Sequence, residues 1–306
     1  MCSQLLKKIY SKIEWHFLMT LTRISPYWST KYRWYKYCGK NLDLRNPITF
    51  NEKLLWLNLY WKDPIKRRCG DKYTVRQYVK ECGCSEILNE LYGIWNSPKE
   101  IEWDKLPDEF VLKTTHDNGG RLGDNIIICT NKKNLDKNKA ISGLKSSLKR
   151  SEWLIHNAIQ YKGLKGRIIC EKLIKTPSGK LPEDYKFYCF HGIPKFCMVC
   201  DERTSKYHTA YFMDLNWEKH PFRIDDKPSI PVKPINFEKM VHYAEILAKG
   251  IPFVRIDFYD SNGDIIFGEM TFHPNGNINP YINELAQKEL GSLIDINLVK
   301  SYKINA

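Results

Sequence analysis

The chain has 306 residues, of which 42% are hydrophobic and 27% are charged, and its formal net charge is +13. This composition is typical of a soluble protein with two or three subdomains, and the positive charge predicts an anionic partner. The sequence shows no bilayer-spanning apolar run, signal peptide or nucleic-acid-binding signature, so we expect a cytosolic protein that does not bind nucleic acid.

Residues 1–45 combine basic and aromatic side chains. The segment contains nine lysines and arginines against only two acids, Glu14 and Asp43, with many tryptophans and tyrosines between them. Such a mixture suits peripheral contact with an anionic membrane at the inner face of the cell. Packed helices whose basic residues face water would give the same pattern, and both interpretations stay open.

Residues 46–108 change to a pattern of amphipathic helices. Apolar spacing predicts a helix over 50–60 and a second one over 71–80, where Asp71 lies at the start. A strand is predicted over 87–95, before a turn that begins at Ser97 and Pro98.

A glycine-rich loop follows the short strand that ends at Lys113. The loop contains Gly119 and Gly120 and leads into a strand predicted over 125–129. Backbone N–H groups of such a loop can surround an anion, and Lys113 can supply the counter-charge. The pattern matches neither a P-loop nor a dinucleotide fingerprint, and a flexible hairpin tip is the alternative. A helix is predicted over 135–153.

Two predicted strands then carry isolated charged residues. Glu171 lies in the strand predicted over 167–174, and Asp184 and Lys186 lie in the strand predicted over 182–190. Because Asp184 and Lys186 are two residues apart, they share one face of an extended strand. They form either a surface ion pair or a pair of contacts to a ribose and a phosphate.

The stretch from Phe253 to Phe272 predicts a β-hairpin, because two apolar runs flank a turn of Asp, Asn and Gly residues. Asp257 interrupts the first run and Glu269 the second. A hairpin can place these carboxylates side by side, and such a pair favours Mg²⁺ or Mn²⁺ as the neutralising cation. The alternative is that both acids face water.

Several motifs resemble the TupA-like ATP-grasp family of bacterial surface-polysaccharide gene clusters. They are Asn46–Lys53, Asp71–Lys72, Phe110–Gly120, Asp184–Gly192 and Pro252–Asp257 with Phe267–Phe272. The resemblance covers roughly residues 46–294. It implies an α+β, ATP-grasp fold in which two α+β subdomains sandwich ATP, preceded by a mostly helical basic N-terminal region. The implied divisions are 1–45, 46–108, 109–175 for the central lid subdomain, and 176–306 for the C-terminal subdomain with the metal site.

The resemblance also implies roles for single residues. Lys113 would contact the ATP phosphates, and Gly119 and Gly120 would close over them. The remaining nucleotide contacts would be Lys72, the adenine-binding hinge at Glu171, Lys172 and Ile174, the ribose-binding Asp184, and the phosphate-binding Lys186.

The metal ligands implied by the resemblance are Asp257 and Glu269. Thr271 stands where many ATP-grasp enzymes carry an asparagine. The third ligand is therefore Thr271 itself, or else Asn275 or Asn277.

The implied reaction joins a carboxylate to an amine through an acylphosphate made from ATP. Lys113, Lys186 and Arg255 would neutralise charge. Arg203 either clamps the acceptor, since a guanidinium fits a carboxylate or a sugar phosphate, or is a surface arginine. The expected substrates are an acidic, uronic-acid-type surface polysaccharide or its precursor and an amino acid or amine. A glycosyltransferase that uses a sugar nucleotide and a non-catalytic nucleotide-binding or membrane-docking scaffold are the alternatives.

Overall fold

A computed structural model describes residues 2–116, 126–176, 179, 181–201 and 209–301 of the chain. The α-helices are Cys2–Ile24 (α1), Pro26–Cys38 (α2), Phe50–Tyr60 (α3), Ile65–Gly70 (α4), Thr74–Glu81 (α5), Lys137–Leu148 (α6), Glu152–His156 (α7), Phe237–Ala248 (α8), Glu284–Ser292 (α9) and Ile296–Ser301 (α10). The strands are Leu91–Trp95 (β1), Phe110–Thr114 (β2), Ile126–Cys129 (β3), Ile168–Glu171 (β4), Asp184–Phe190 (β5), Ile193–Asp201 (β6), Thr209–Asp214 (β7), Lys219–His220 (β8), Phe253–Ser261 (β9) and Asp264–Thr271 (β10).

The described strands form two antiparallel sheets, which confirms the predicted α+β class. The smaller sheet has the strand order β1-β4-β2-β3, and the larger one has the order β10-β9-β5-β6-β7-β8. Strand β1 comes from the segment before residue 109, yet it pairs with β4 in the smaller sheet.

The predicted elements agree with the structure to different degrees. Helix α3 begins as predicted, because Thr49 and Glu52 form a reciprocal capping box. Helix α5 starts later than predicted, because the Asp71 carboxylate accepts hydrogen bonds from the backbone N–H groups of Tyr73 and Thr74. The single helix predicted over 135–153 is wrong, since the chain breaks after α6 and Ser151 caps the separate helix α7. The strand predicted over 87–95 is shorter than expected and begins only at Leu91.

Helices cover the larger sheet on both faces. On one face, Phe237 of α8 packs against Phe187 of β5, with ring centroids 5.6 Å apart. On the other face, Phe50 of α3 packs against Phe253 of β9, at 5.2 Å. The smaller sheet has its own core, in which Leu144 of α6 packs with buried residues of β2 and β4.

No helix in the described part of the chain is long and apolar enough to cross a membrane.

Candidate active site

A row of charged residues lies on the face of the larger sheet opposite α8. Side chains alternate along a strand, so Phe187 packs on α8 while its neighbours Lys186 and Tyr188 face the other way. Lys186 is in register with Asp257, and Tyr188 is in register with Arg255. The sheet therefore places Lys186, Asp257 and Arg255 on one face.

A β-bulge brings Glu269 onto the same face. Phe267 is in register with Phe258, whereas Glu269 is in register with Asp257, so β10 advances two residues while β9 advances one. The extra residue is Gly268, where an added Cβ would lie 2.9 Å from the Asp257 carbonyl oxygen. The bulge turns Glu269 from the α8 side to the charged face.

Arg255 lies between the two carboxylates in the structure. Its Nε donates to Oδ1 of Asp257 and one terminal nitrogen donates to Oδ2, both at 2.7 Å. The same terminal nitrogen also donates to Glu269 at 2.9 Å and to the hydroxyl of Thr271 at 3.2 Å. A guanidinium thus neutralises the acid pair for which the sequence predicted a metal ion.

Lys186 joins Asp184 to this cluster. Its ammonium group contacts the Asp184 carboxylate and lies 2.6 Å from Oδ2 of Asp257. Burial lowers the pKa of Lys186, but the charges of Asp184 and Asp257 outweigh burial and raise the pKa above its ordinary value. Lys186 is therefore a permanent cation between two carboxylates.

The charge of Lys72 also acts on this cluster. Burial raises the pKa of the Glu269 carboxyl, but the charges of Lys72, Arg255 and Lys186 outweigh burial and lower the pKa to about 2. The hydroxyl of Thr271 contributes through a 2.8 Å hydrogen bond to Oε1 of Glu269. Lys72 comes from the chain between α4 and α5, so distant parts of the sequence converge here.

The smaller sheet contributes a second ionic cluster. Lys113 of β2 lies 2.6 Å from one oxygen of Glu171, and Arg76 of α5 lies 3.2 Å from the other. Burial lowers the pKa of Lys113, but the charge of Glu171, followed by those of Tyr259 and Glu269, raises it. Because Tyr259 and Glu269 belong to the larger sheet, the charge of Lys113 interacts with residues of both sheets.

The backbone of the predicted adenine hinge is partly in use. The N–H group of Lys172 donates to the Glu90 carbonyl at 3.0 Å, and the Lys172 carbonyl accepts from the Asn89 side chain at 2.9 Å. The N–H group of Ile174 makes no hydrogen bond among the described residues. A carbonyl oxygen can accept twice, so the Lys172 carbonyl and the Ile174 N–H can still bind an adenine edge.

A cavity of about 750 Å³ lies beside this hinge, at the edge strand β10. Its lining includes Lys172, Ile174, Ile266 and, from α8, Lys239 and Tyr243. The residues of the charged row do not line it. Lys172 and Ile174 therefore line a cavity that does not include the charged row.

The oxygen atoms near Arg255 suit a hard divalent cation. Asp257 and Glu269 supply carboxylates and Thr271 supplies a hydroxyl, the ligand types preferred by Mg²⁺. Asn275 is exposed, whereas Oδ1 of Asn277 is buried and accepts no hydrogen bond from the described residues. The described residues contain no group of three or more His, Cys, Asp or Glu side chains close enough together to form a preformed metal centre.

Three predicted site residues cannot be placed, because Gly119, Gly120 and Arg203 lie outside the described residues. Sequence reasoning also missed Arg76 as a member of the site. Arg76 pairs with Glu171 across 95 residues of chain, and nothing in its helix distinguishes it from a surface arginine. Its only sequence signal is its place on α5, directly after the Asp71–Lys72 motif.

Comparison with known proteins identifies a family. The sequence model described as TupA-like ATPgrasp matches residues 52–295. No curated protein sequence matches the chain.

Solved structures similar to this one include three synthetases and ligases. D-alanine–D-alanine ligase from Bacillus anthracis complexed with ATP shares 15% identity, with 77% of this chain and 68% of that chain covered and a TM-score of 0.48. L-amino acid ligase from Bacillus licheniformis shares 12% identity, with 74% of this chain and 49% of that chain covered and a TM-score of 0.46. Carboxyaminoimidazole ribonucleotide synthase from Aspergillus clavatus complexed with ATP shares 12% identity, with 67% of this chain and 45% of that chain covered and a TM-score of 0.42.

Proposed function

The chain belongs to the TupA-like ATP-grasp family, and from this premise we propose that it is an ATP- and Mg²⁺-dependent carboxylate–amine ligase. The observation that carries the proposal is the convergence of cations from both sheets. The charges of Lys113 and Lys72 act on Glu269, and Lys186 and Arg255 contact Asp257 within the larger sheet. Cations around a small group of carboxylates suit a metal–triphosphate complex.

In the proposed complex, the adenine, the ribose and the phosphates of ATP each contact a different set of residues. The adenine edge binds the Lys172 carbonyl and the Ile174 N–H group, next to Glu171. Asp184 accepts hydrogen bonds from the ribose. Lys113, Lys186 and Lys72 bind the phosphates, and the loop with Gly119 and Gly120 covers them.

Asp257, Glu269 and Thr271 are the proposed ligands of Mg²⁺, which is expected to neutralise the phosphate oxygens and hold the triphosphate in a reactive geometry. The chain's own residues supply the remaining charge. Arg255 and Lys186 both lie within hydrogen-bonding distance of the Asp257 carboxylate, and we expect their charges to stabilise the transferring phosphoryl group.

In the proposed reaction, a carboxylate oxygen of the acceptor attacks the γ-phosphorus of ATP. The bond from that phosphorus to the β–γ bridging oxygen breaks, and ADP leaves. An amine nitrogen then attacks the acyl carbon of the acylphosphate, inorganic phosphate leaves, and the nitrogen loses its proton. Arg203 is the proposed clamp for the acceptor, since a guanidinium pairs with a carboxylate or a sugar phosphate.

We propose an acidic, uronic-acid-type surface polysaccharide or its precursor as the acceptor and an amino acid or amine as the second substrate. The net charge of +13 supports an anionic acceptor. ATP is a cytosolic metabolite, so the proposed reaction takes place in the cytosol.

Hydroxylamine provides a test that does not require the natural amine. Purified protein is incubated with ATP, Mg²⁺, hydroxylamine and a panel of uronic acids, and hydroxamate and ADP are measured together. We expect equal amounts of both products, dependent on one class of acid. Replacing Glu269 with Gln should abolish them, whereas Glu284→Gln, on an exposed part of α9, should not.

Two results would contradict the ligase. Cleavage of a sugar nucleotide without any ATP-dependent hydroxamate would favour the glycosyltransferase. Retention of full cellular function by the Glu269→Gln variant would favour a non-catalytic scaffold.

A further inference from the structure

Helices α1 and α2 form an antiparallel hairpin around Ser25. Contacts between them run from the hydroxyls of Thr22 and Ser29, 2.7 Å apart, through the rings of Phe17 and Tyr32, 5.2 Å apart. Farther along, Glu14 pairs with Lys36.

One side of this hairpin is fixed to the rest of the protein. The side chain of Asn157 donates to the hydroxyl of Thr30 at 2.7 Å and to the Pro26 carbonyl at 2.9 Å. Arg33 donates to the Leu154 carbonyl at 3.2 Å. The hairpin is therefore held in a definite orientation, and its opposite side faces outward.

Large apolar side chains cover an outward face of the hairpin. We call this set the hairpin face; its members are between 47% and 77% exposed and are Tyr10, Ile13, Phe17 and Ile24 of α1 and Trp28 and Tyr35 of α2. The α1 members follow a spacing of three, four and seven residues, which keeps them within about 60° of arc on a helix. The α2 members are seven residues apart and lie within about 20° of each other.

The two stripes lie on the same side of the hairpin. Measured from the paired residues Thr22–Ser29 and Glu14–Lys36, each stripe is rotated by about 100° around its own helix. In an antiparallel pair, equal rotations lead to the same side of the hairpin. The contact between Phe17 and Tyr32 lies at the seam between them. The hairpin face is therefore continuous across both helices.

Basic residues border the hairpin face. The Lys31 ammonium lies 5.4 Å and 5.6 Å from the ring centroids of Tyr27 and Trp28, and the Lys36 ammonium lies 5.4 Å from that of Tyr10. Lys12 and Arg23 are exposed farther around α1, on its side away from α2. Counted from Tyr10 to Arg45, seven basic residues stand against two acids. An apolar aromatic surface with a cationic border matches the chemistry of an anionic lipid bilayer, in which rings occupy the headgroup level and cations meet the phosphates.

We propose that the hairpin face is a docking surface for an anionic membrane, with its apolar side chains inserted at the level of the lipid headgroups. The orientation of the hairpin then fixes how the rest of the protein stands on the lipid surface. This inference does not depend on the proposed reaction, because it concerns a surface formed by α1 and α2 alone.

The test is co-sedimentation of the full chain with vesicles. Vesicles of phosphatidylcholine with phosphatidylglycerol should bind the wild-type protein, and binding should weaken as salt is raised. The variant Ile13→Glu/Ile24→Glu should bind at least about tenfold more weakly, because it places charges where apolar groups are buried.

Val232→Glu/Ile235→Glu is the matched control. Val232 and Ile235 are 85% and 87% exposed, and the double substitution changes the net charge by the same amount at a distant surface. This control should keep wild-type binding. A third variant, Lys12→Gln/Arg23→Gln, should lose the preference for phosphatidylglycerol over pure phosphatidylcholine. Melting temperatures of all variants should stay near that of the wild type, since every substituted residue is exposed.

The proposal is overturned if the wild type does not bind anionic vesicles, or if the two glutamate variants bind equally well. Light scattering tests whether a second copy of the chain, rather than a membrane, covers the hairpin face. A wild-type dimer that becomes monomeric in Ile13→Glu/Ile24→Glu would assign the hairpin face to a second copy of the chain instead.

Discussion

Arg255 and Asp257 form a two-pronged ion pair on one face of β9, with both hydrogen bonds at 2.7 Å and both side chains at least 89% buried. Arg223 and Asp225 form the same two-pronged pair at the same spacing, also at 2.7 Å, but there Asp225 is 46% exposed. The two pairs share chemistry and geometry and their arginines are similarly buried, but Asp257 is buried and Arg255 also contacts Glu269, whereas Asp225 is exposed.

We predict that Arg255→Met lowers the free energy of unfolding by about 3–5 kcal/mol, because it leaves Asp257 without its main counter-ion. Arg223→Met should cost less, about 1 kcal/mol, because the exposed Asp225 carboxylate stays hydrated when the arginine is lost. Urea unfolding without nucleotide measures both. Adding Mg²⁺ should restore part of the loss in Arg255→Met only, because the acid pair then needs a cation. Equal losses, or no response to Mg²⁺, would contradict this account of the acid pair.

Gly268 is predicted to be essential for the position of Glu269. In Gly268→Ala, the new methyl group would meet the Asp257 carbonyl at 2.9 Å and the Tyr259 ring at 3.2 Å. We expect a loss of about 1–3 kcal/mol in unfolding free energy, together with weaker ATP binding as Glu269 shifts. Gly70→Ala is the control, since its nearest contact is an ordinary 3.5 Å to Tyr161. If Gly268→Ala binds ATP normally, the bulge does not set the site.

His191 should make the protein sensitive to acid. Burial lowers the pKa of His191 below its ordinary value of 6.5, and its Nε2 accepts a 2.9 Å hydrogen bond from the Asp295 N–H group. Protonation would turn this acceptor into a donor. Because the pKa is lower in the folded state, the stabilisation is full above about pH 6.5 and is lost as the pH falls below that value.

The comparison of His191→Asn with His242→Asn checks this prediction. Asparagine tolerates the positive φ of 48° at position 191, and His242 is exposed. Between pH 7 and 5, stability should fall less steeply in His191→Asn than in the wild type, whereas His242→Asn should follow the wild type. Parallel curves for all three proteins would assign the acid sensitivity elsewhere.

The hairpin with the acid pair could be predicted from sequence, but the alignment of the acids could not. The predicted turn is confirmed at Asn262 and Gly263, both with positive φ. Simple alternation from that turn would have set Asp257 opposite Gly268 and turned Glu269 toward α8. The bulge corrects this, and its cause is a close backbone approach that only the folded sheet reveals.

Some of the cations that pair with the carboxylates of the site could be predicted from the sequence, and others could not. Arg255 and Asp257 are two residues apart on a strand, so their contact could be inferred from the sequence. The contact of Lys186 with Asp257 depends on the register between β5 and β9, and that of Arg76 with Glu171 on how α5 packs. Local spacing predicts which residues share a face, whereas the pairing of faces depends on tertiary structure.

Calorimetric titration of the purified chain with ATP in the presence of Mg²⁺ tests the central claim most directly. The account predicts one ATP per chain, with no comparable binding of sugar nucleotides. Binding should be strongly weakened in Lys113→Met, which removes a cation between the sheets, and unchanged in Lys105→Met, whose partner Glu102 is on the surface. Failure to bind ATP, or equal binding by both variants, would contradict a nucleotide site between the two sheets.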